Sequence, residues 1–103
     1  MICYLEQHYS EPIHIEQLAA TFGYSKNHFM SIFKQHTGAS CMDYLLQLRL
    51  EKSCEKLVQT NLSIQEIASQ VGFTNLSNFN RQFKQHYHLT PRQYRNQQLK
   101  KKT

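Results

Sequence analysis

Apolar residues recur at helical spacing through residues 63–94 and predict two short helices joined by a glycine turn. Ser63 can cap the first helix, and Glu66 three residues later completes the signature of a capping box. Gly72 follows where a left-handed residue ends a helix, a conformation that glycine adopts without steric cost. This arrangement is typical of a helix-turn-helix motif. The predicted inward positions are Ile64, Ile67, Ala68, Val71, Phe79, Phe83 and Tyr87.

The same pattern occurs earlier in the chain, so the sequence contains an internal repeat. Residues 33–36 read Phe-Lys-Gln-His and recur unchanged as residues 83–86. The offset between the copies is 49 and becomes 50 after one residue is inserted in the second copy. Two copies of one unit are therefore predicted. Further matched pairs are Ile15 with Ile64, Ala19 with Ala68, Gly23 with Gly72, Phe29 with Phe79, Ser40 with Thr90 and Tyr44 with Tyr94.

The first copy is predicted to have its own helical cover. A helix over residues 1–9 precedes it and covers its apolar side. Ser25 caps the second helix of this copy, which runs to about His36. Three residues of its first helix are predicted to face inward: Leu18, Ala19 and Phe22.

A long helix is predicted between the two copies. Ser40 and Asp43 form another capping box, and neither Gly nor Pro occurs before about Val58. About 18 residues at a rise of about 1.5 Å span about 27 Å. The apolar residues lie on more than one face, which predicts burial on more than one side: Leu45, Leu46, Leu48, Leu50, Cys54, Leu57 and Val58.

The end of the chain completes the predicted architecture. Thr90, Pro91 and Gln93 mark the start of a short last helix, which ends before the run Lys100–Lys102. No strand-like alternation occurs, so we predict an all-α fold of about seven helices. The predicted division is a first helix-turn-helix lobe at 1–39, a linking helix at 40–60 and a second lobe at 61–103.

Charge is unevenly distributed over the 103 residues. Residues 1–48 contain two lysines and four acidic residues, whereas residues 49–103 contain ten basic and three acidic residues. The basic second half indicates a polyanionic partner held mainly by that half. The lysine run at the end is alternatively a solubilising tail.

The sequence gives little indication of a secreted or membrane protein, a metal-binding protein or an enzyme. No signal peptide or transmembrane stretch is present, and the three cysteines have no metal-ligand spacing, which favours reduced thiols in a cytoplasmic protein. His86 and His88 could suggest a metal, but no cysteine lies near them at ligand spacing. Paired carboxylates, a nucleophile elbow and a phosphate-binding glycine loop are absent from the sequence, so neither an enzyme nor a cofactor is predicted.

The second helix of a helix-turn-helix motif enters the major groove of DNA, and its first residues meet the base edges. Arg81 is the strongest candidate base reader, because its planar fork can bind a guanine edge with two hydrogen bonds. Lys34 and Lys84 lie further along their helices and are expected at phosphates. An ordinary solvated helix face is the alternative for any single position. The candidate residues are Lys26, Asn27, Met30, Ser31 and Lys34 in the first copy, and Asn75, Leu76, Ser77, Asn80, Arg81 and Lys84 in the second.

Two recognition helices could read successive major grooves about 34 Å apart. Their outward residues differ, so the predicted site is not palindromic. The competing hypothesis is an all-α protein-interaction module that uses the same faces without DNA specificity.

The chain resembles the DNA-binding domain of the AraC/XylS family of bacterial transcription regulators over nearly its whole length. Arg49 in the linking helix also fits that family. The matching residues of the second copy are Ile64, Glu66, Ile67, Ala68, Val71, Gly72, Phe73, Phe79, Arg81, Phe83, Lys84, Thr90, Pro91, Tyr94 and Arg95. The resemblance implies binding to double-stranded promoter DNA, contact with RNA polymerase, usually as an activator, and a sensor domain in the full-length protein.

Four positions depart from the pattern of that family. His88 replaces a usual glycine and predicts a tighter or differently shaped loop. Cys41 replaces a proline, and Ser53 replaces an alanine. Ser31 stands where a basic residue is frequent, which predicts weaker DNA binding by the first lobe than by the second.

Overall fold

A computed structural model describes the backbone of residues 2–102 and the side chains of residues 4–99. Within these residues the fold is all-α and contains no strand, which confirms the predicted fold class. Seven helices follow one another along the described chain: α1 (Ile2–His8), α2 (Ile15–Thr21), α3 (Lys26–Thr37), α4 (Cys41–Gln59), α5 (Ile64–Gln70), α6 (Leu76–Tyr87) and α7 (Pro91–Lys102).

The chain divides into two compact units, Met1–Leu48 and Arg49–Thr103. We call them the first unit and the second unit. Helix α4, which has 19 residues, contains the boundary between them. Each unit contains one helix-turn-helix motif, formed by α2 and α3 in the first and by α5 and α6 in the second.

The core of the first unit is built on α3. Phe29 and Phe33 are fully buried, and Leu5 of α1 joins them, so the predicted covering role of the first helix is confirmed. Ala19 of α2 is also completely buried, as expected where a small residue lets two helices cross closely. The remaining members of this cluster are Leu18, Cys41, Leu45 and Leu48.

The second unit has a row of aromatic rings that matches the contacts of Phe33 with Phe29 and Tyr44 in the first unit. The Phe79 ring lies 5.0 Å from that of Phe73 and 5.8 Å from that of Phe83, measured between centroids. Tyr94 of α7 then meets the Phe83 ring edge-on at 5.7 Å. These separations are typical of tilted and edge-to-face packing, which stabilises the fold beyond the contribution from burying the rings. Helix α7 is thereby fixed on α6.

Arg95 holds α7 against the end of α4. Its Nε donates a hydrogen bond to the Leu57 carbonyl at 2.9 Å, and an Nη donates to the Thr60 carbonyl at 3.3 Å. The last carbonyls of a helix have no partner within it, so a cationic donor stabilises them twice, by hydrogen bonding and by opposing the helix dipole. Arg95 therefore acts as a cap supplied by another helix.

The predicted caps are present at the helix starts. Ser25 Oγ accepts a bond from the His28 amide at 3.3 Å, and Ser63 Oγ accepts one from the Glu66 amide at 3.1 Å. For α6 the sequence offers Thr74 or Asn75 as the cap, and in the structure it is Asn75, whose Oδ1 accepts from the Asn78 amide. At α7 both bonds of the capping box form: Thr90 and Gln93 each donate a backbone N–H to the side chain of the other.

Two details of the sequence prediction are corrected by the structure. Phe22 was expected to face inward, but it lies after the end of α2 and is 38% exposed, stacked on Phe29. The last helix was expected to be short, but α7 continues through the backbone of the lysine run to Lys102 because no Gly or Pro stops it. The side chains of that run lie outside the described residues, as does that of Cys3.

His88 does not change the shape of its loop. It adopts a left-handed conformation with φ 66°, and Gly38 at the matching position has φ 81°. Each residue donates its backbone N–H to the carbonyl four residues earlier, that of Lys84 or Lys34. The loop therefore keeps the form that a glycine would give it, at the cost of placing a Cβ in the left-handed region.

Candidate nucleic-acid interface

The two helix-turn-helix motifs share one backbone scheme. Tyr24 in the first turn donates its amide to the Ala19 carbonyl at 2.9 Å, and Phe73 in the second donates to Ala68 at the same distance. The intervening glycines, Gly23 and Gly72, both have positive φ. Such a turn needs a residue without a Cβ, so the two glycines set the same change of direction in both motifs.

Burial along the two recognition helices is also closely matched, and it differs only where His28 is exposed and Asn78 is half-buried. Residues 29–41 and 79–91 follow one order of buried, half-buried and exposed positions without a single difference. Each helix has 12 residues and buries two phenylalanines four residues apart. The inward face is therefore common to both helices, and the residues that distinguish them lie outside it.

In the first unit, four of the five candidate DNA contacts are exposed, namely Lys26, Asn27, Ser31 and Lys34. Met30 is half-buried and presents only part of its side chain to solvent. Lys26 Nζ lies 3.8 Å from a carboxylate oxygen of Glu16 on α2, and both side chains remain largely exposed. This carboxylate partly neutralises the first cation of the helix.

In the second unit, five of the six candidates are exposed, namely Asn75, Leu76, Ser77, Arg81 and Lys84. Asn80 is half-buried. Because Asn75 Oδ1 already caps the helix, its side chain has mainly its NH₂ donors left for a further partner. It can therefore approach a base acceptor or a phosphate more readily than a base donor.

Arg81 has a partner that the sequence reasoning missed. One of its Nη atoms donates to Asn78 Oδ1 at 2.8 Å, across one turn of α6. Asn78 is half-buried, and its own backbone N–H is bound by Asn75. The three-residue spacing between an amide and an arginine was a signal available in the sequence, because side chains three apart are neighbours on a helix.

Glu16 was missed for a different reason. Its meeting with Lys26 depends on how α2 and α3 cross, and no local spacing in the sequence fixes that geometry. The equivalent residue of the second unit, 49 positions later, is the uncharged Gln65. The second unit therefore has no acidic side chain at the position that matches Glu16.

A half-buried polar cluster lies at the C-terminal end of the recognition helix α6. Burial raises the pKa of the half-buried Cys54 thiol, which hydrogen-bonds with Tyr87 and Tyr94. Burial, together with the bond to Cys54, also raises the pKa of the Tyr87 hydroxyl. All three groups therefore stay protonated near neutral pH, and they link α4, α6 and α7 through neutral hydrogen bonds.

The described part of the chain offers no group of three or more His, Cys, Asp or Glu side chains that could hold a metal ion. None of its helices is long and apolar enough to cross a membrane.

Two helix-turn-helix motifs with exposed polar and basic outward faces define a helix-turn-helix DNA-binding protein. A family model described as a helix-turn-helix domain matches residues 18–97. The chain belongs to the AraC-type helix-turn-helix family of DNA-binding transcription regulators. This result confirms the family suggested by the sequence.

Individual relatives support this assignment. The chain is 36% identical over 86 residues to the probable transcription factor PqrA of Proteus vulgaris, covering 84% of this chain and 70% of PqrA. The C-terminal domain of the two-component response regulator yesN from Fusobacterium nucleatum has the same fold, with a TM-score of 0.87 and 36% identity. That match covers 91% of this chain and 92% of the domain.

Some relatives are much longer than this chain. An uncharacterized HTH-type transcriptional regulator of Bacillus subtilis, YobQ, is 36% identical over 95 residues. That match covers 92% of this chain but only 39% of YobQ. The chain thus corresponds to one part of such a regulator.

Proposed function

We propose that the chain binds promoter DNA sequence-specifically, with α3 and α6 each entering a major groove. In this proposal residues 1–39 and 61–103 act as the two reading lobes, and residues 40–60 link them. The observation that carries it is the equivalence of the two helices, which bury the same positions and differ in burial only where His28 is exposed and Asn78 is half-buried. A face that served only solubility would not need this repeated geometry.

The proposed contacts follow from the chemistry of each side chain. Arg81 reads a guanine edge, while Asn27, Ser77 and Asn80 exchange hydrogen bonds with other base edges. Met30 and Leu76 offer apolar contact to thymine methyl groups. Phosphates are the proposed partners of the basic and helix-start residues, which fix register without reading sequence: Lys26, Lys34, Asn75 and Lys84. Ser31 is the weakest of the proposed contacts.

The wider role is proposed from the relatives. Because regulators such as YobQ are longer than this chain, we infer that a sensor domain accompanies it in a full-length regulator. The proposed outcome of promoter binding is contact with RNA polymerase and activation of transcription in the bacterial cytoplasm, without enzymatic activity of the chain itself.

Selection from a randomised duplex pool at about physiological salt tests the DNA-reading proposal. Two unlike half-motifs about one helical turn apart are expected in the bound fraction. A single motif would show that only one lobe reads sequence. No enrichment would contradict sequence-specific binding by this chain.

Salt dependence separates DNA binding from the alternative of a protein-interaction module. Affinity for the selected duplex should fall steeply with salt, with a log–log slope of about −0.9 for each phosphate neutralised. Replacing Lys84 with Ala should reduce that slope by about 1. A flat response would favour an apolar protein interface over DNA.

A further inference from the structure

The Arg81 side chain is hydrogen-bonded within its own helix. Its guanidinium donates to Asn78 Oδ1 at 2.8 Å, while the Asn78 backbone N–H donates to Asn75 Oδ1 at 3.0 Å. Asn78 is thus bonded twice, through its backbone to the helix cap Asn75 and through its side chain to Arg81. The chain of bonds ends on Arg81, the strongest candidate for reading a base.

Fixing an arginine has a measurable effect on recognition. A free arginine side chain has considerable rotamer entropy, part of which is lost when it binds. A side chain already restrained loses less on binding and discriminates better between correct and incorrect geometry. A guanidinium has five N–H donors, so one bond to Asn78 leaves enough for a guanine edge.

The partner of Arg81 is neutral, and this matters for DNA binding. An amide oxygen orients the guanidinium without cancelling its charge, so the attraction to DNA is retained. In the first unit the partner of the cation is charged, because the Glu16 carboxylate both orients and partly neutralises Lys26. The residues of α3 that match Asn78 and Arg81 are His28 and Ser31, which cannot form such a pair of amide and cation.

We propose that Asn78 is a positioning residue that sets the Arg81 guanidinium for reading one guanine in the DNA site. This inference rests on the proposed DNA-binding function and assigns part of its specificity to a residue that need not touch DNA. It concerns discrimination at a single base pair, and overall attachment to DNA should depend on it less.

The test compares Asn78→Ala, Arg81→Ala and the double variant in the complete 103-residue chain. Duplexes carry each of the four base pairs at the position where Arg81→Ala loses preference. Asn78→Ala is expected to reduce discrimination there about three- to tenfold and to have no further effect in the Arg81→Ala background. His28→Ala, the matched variant of the first unit, should leave that preference unchanged.

Unchanged discrimination in Asn78→Ala would overturn the proposal. An equal loss in the presence and absence of Arg81 would also overturn it, because Asn78 would then act on DNA independently. A uniform loss on all four duplexes would contradict base reading at this position. The substitution keeps the backbone bond to Asn75, so the helix cap survives in every variant.

A measurement without DNA separates this inference from the proposed function. NMR relaxation of the Arg81 Nε–Hε group should show a lower order parameter in Asn78→Ala than in the unsubstituted chain. No change in that order parameter would overturn the positioning role even if DNA binding is specific. Restraint of Arg81 without specific binding of any duplex would instead contradict the proposed function, and the base-reading role with it.

Discussion

The turns of the two helix-turn-helix motifs have the same backbone but opposite environments. In the first turn Phe22 and Tyr24 are 38% and 37% exposed, whereas Val71 and Phe73 at the matching positions are 0% and 8% exposed. The glycine between each pair has positive φ, and the backbone hydrogen bonds agree. Turn geometry is therefore set by the glycine and the backbone. The apolar residues on either side of the glycine contribute stability only where they are buried.

The largest expected effect follows directly from this difference. Replacing Phe73 with Ala removes a buried ring that packs on Phe79 and should lower the free energy of unfolding by about 3–5 kcal/mol. Replacing Tyr24 with Ala should change it by only about 0.5 kcal/mol, since that side chain is partly in solvent. Urea denaturation followed by circular dichroism measures both. Equal losses would contradict the distinction between the turns.

A second prediction concerns a bond that only the second unit has. Arg95→Ala should cost about 1.5–3 kcal/mol, because it leaves carbonyls at the end of α4 without their charged donor. The matching residue of the first unit is Leu45, which is buried and apolar. Arg92→Ala, an exposed change on the same helix, serves as the control in thermal unfolding and should shift the midpoint little. A similar shift from both variants would rule out the capping role.

DNA binding provides the third comparison. Arg81→Ala should weaken binding to the selected duplex by about 1–3 kcal/mol and relax preference at one base pair. Ser31→Ala at the matching position should change little, because a serine offers weaker contacts. Fluorescence anisotropy titrations at one salt concentration measure both. Comparable losses would disprove the ranking of the second lobe above the first.

The matched helix ends allow a reciprocal exchange. His88→Gly should stabilise the chain by about 1 kcal/mol, since it removes a Cβ from a left-handed residue, and Gly38→His should destabilise it by a similar amount. No heavy atom lies within 4 Å of a Cβ placed on Gly38, so the expected cost is conformational strain and not a clash. Thermal unfolding of both variants provides the check. Changes of the same sign would show that the two ends differ in more than conformation.

The smallest expected effect is at the first recognition helix. Glu16→Gln should release Lys26 and increase DNA affinity by less than about 1 kcal/mol, as exposed ion pairs are weak. Gln65→Ala, a neutral change at the matching position, is the control. The gain should shrink as salt is raised, because screening already weakens the ion pair. Weaker binding by Glu16→Gln would show that Glu16 supports the interface.

The sequence was sufficient for what depends on local pattern. Glycine positions, cap residues such as Ser63 and the inward phenylalanines predicted the helices and their order, because each acts within a few residues. Prediction from the sequence failed where the burial of a side chain depends on residues that are distant in the chain. Phe22 is a large apolar residue of the kind that is usually buried in a core. Nothing near it in the chain shows that the fold leaves it partly in solvent.

The candidate interface shows the same limit. Helical periodicity was enough to select the outward residues, but the bond between Arg81 and Asn78 depends on rotamers and the contact between Glu16 and Lys26 on helix crossing. Both partners were therefore absent from the prediction. The DNA contacts themselves stay a prediction from helix geometry.

Residues 29–41 and 79–91 have the same sequence of buried, half-buried and exposed positions, so outward side chains of one recognition helix can be transferred to the other. Lysine already stands at the same place in both helices, as Lys34 and Lys84. His28→Asn together with Ser31→Arg would copy the pair Asn78 and Arg81 onto α3 without altering a buried side chain. Such a chain would carry the same amide–arginine pair in both recognition helices, and the two unlike halves of the preferred DNA site would become alike at the base pair that this arginine reads.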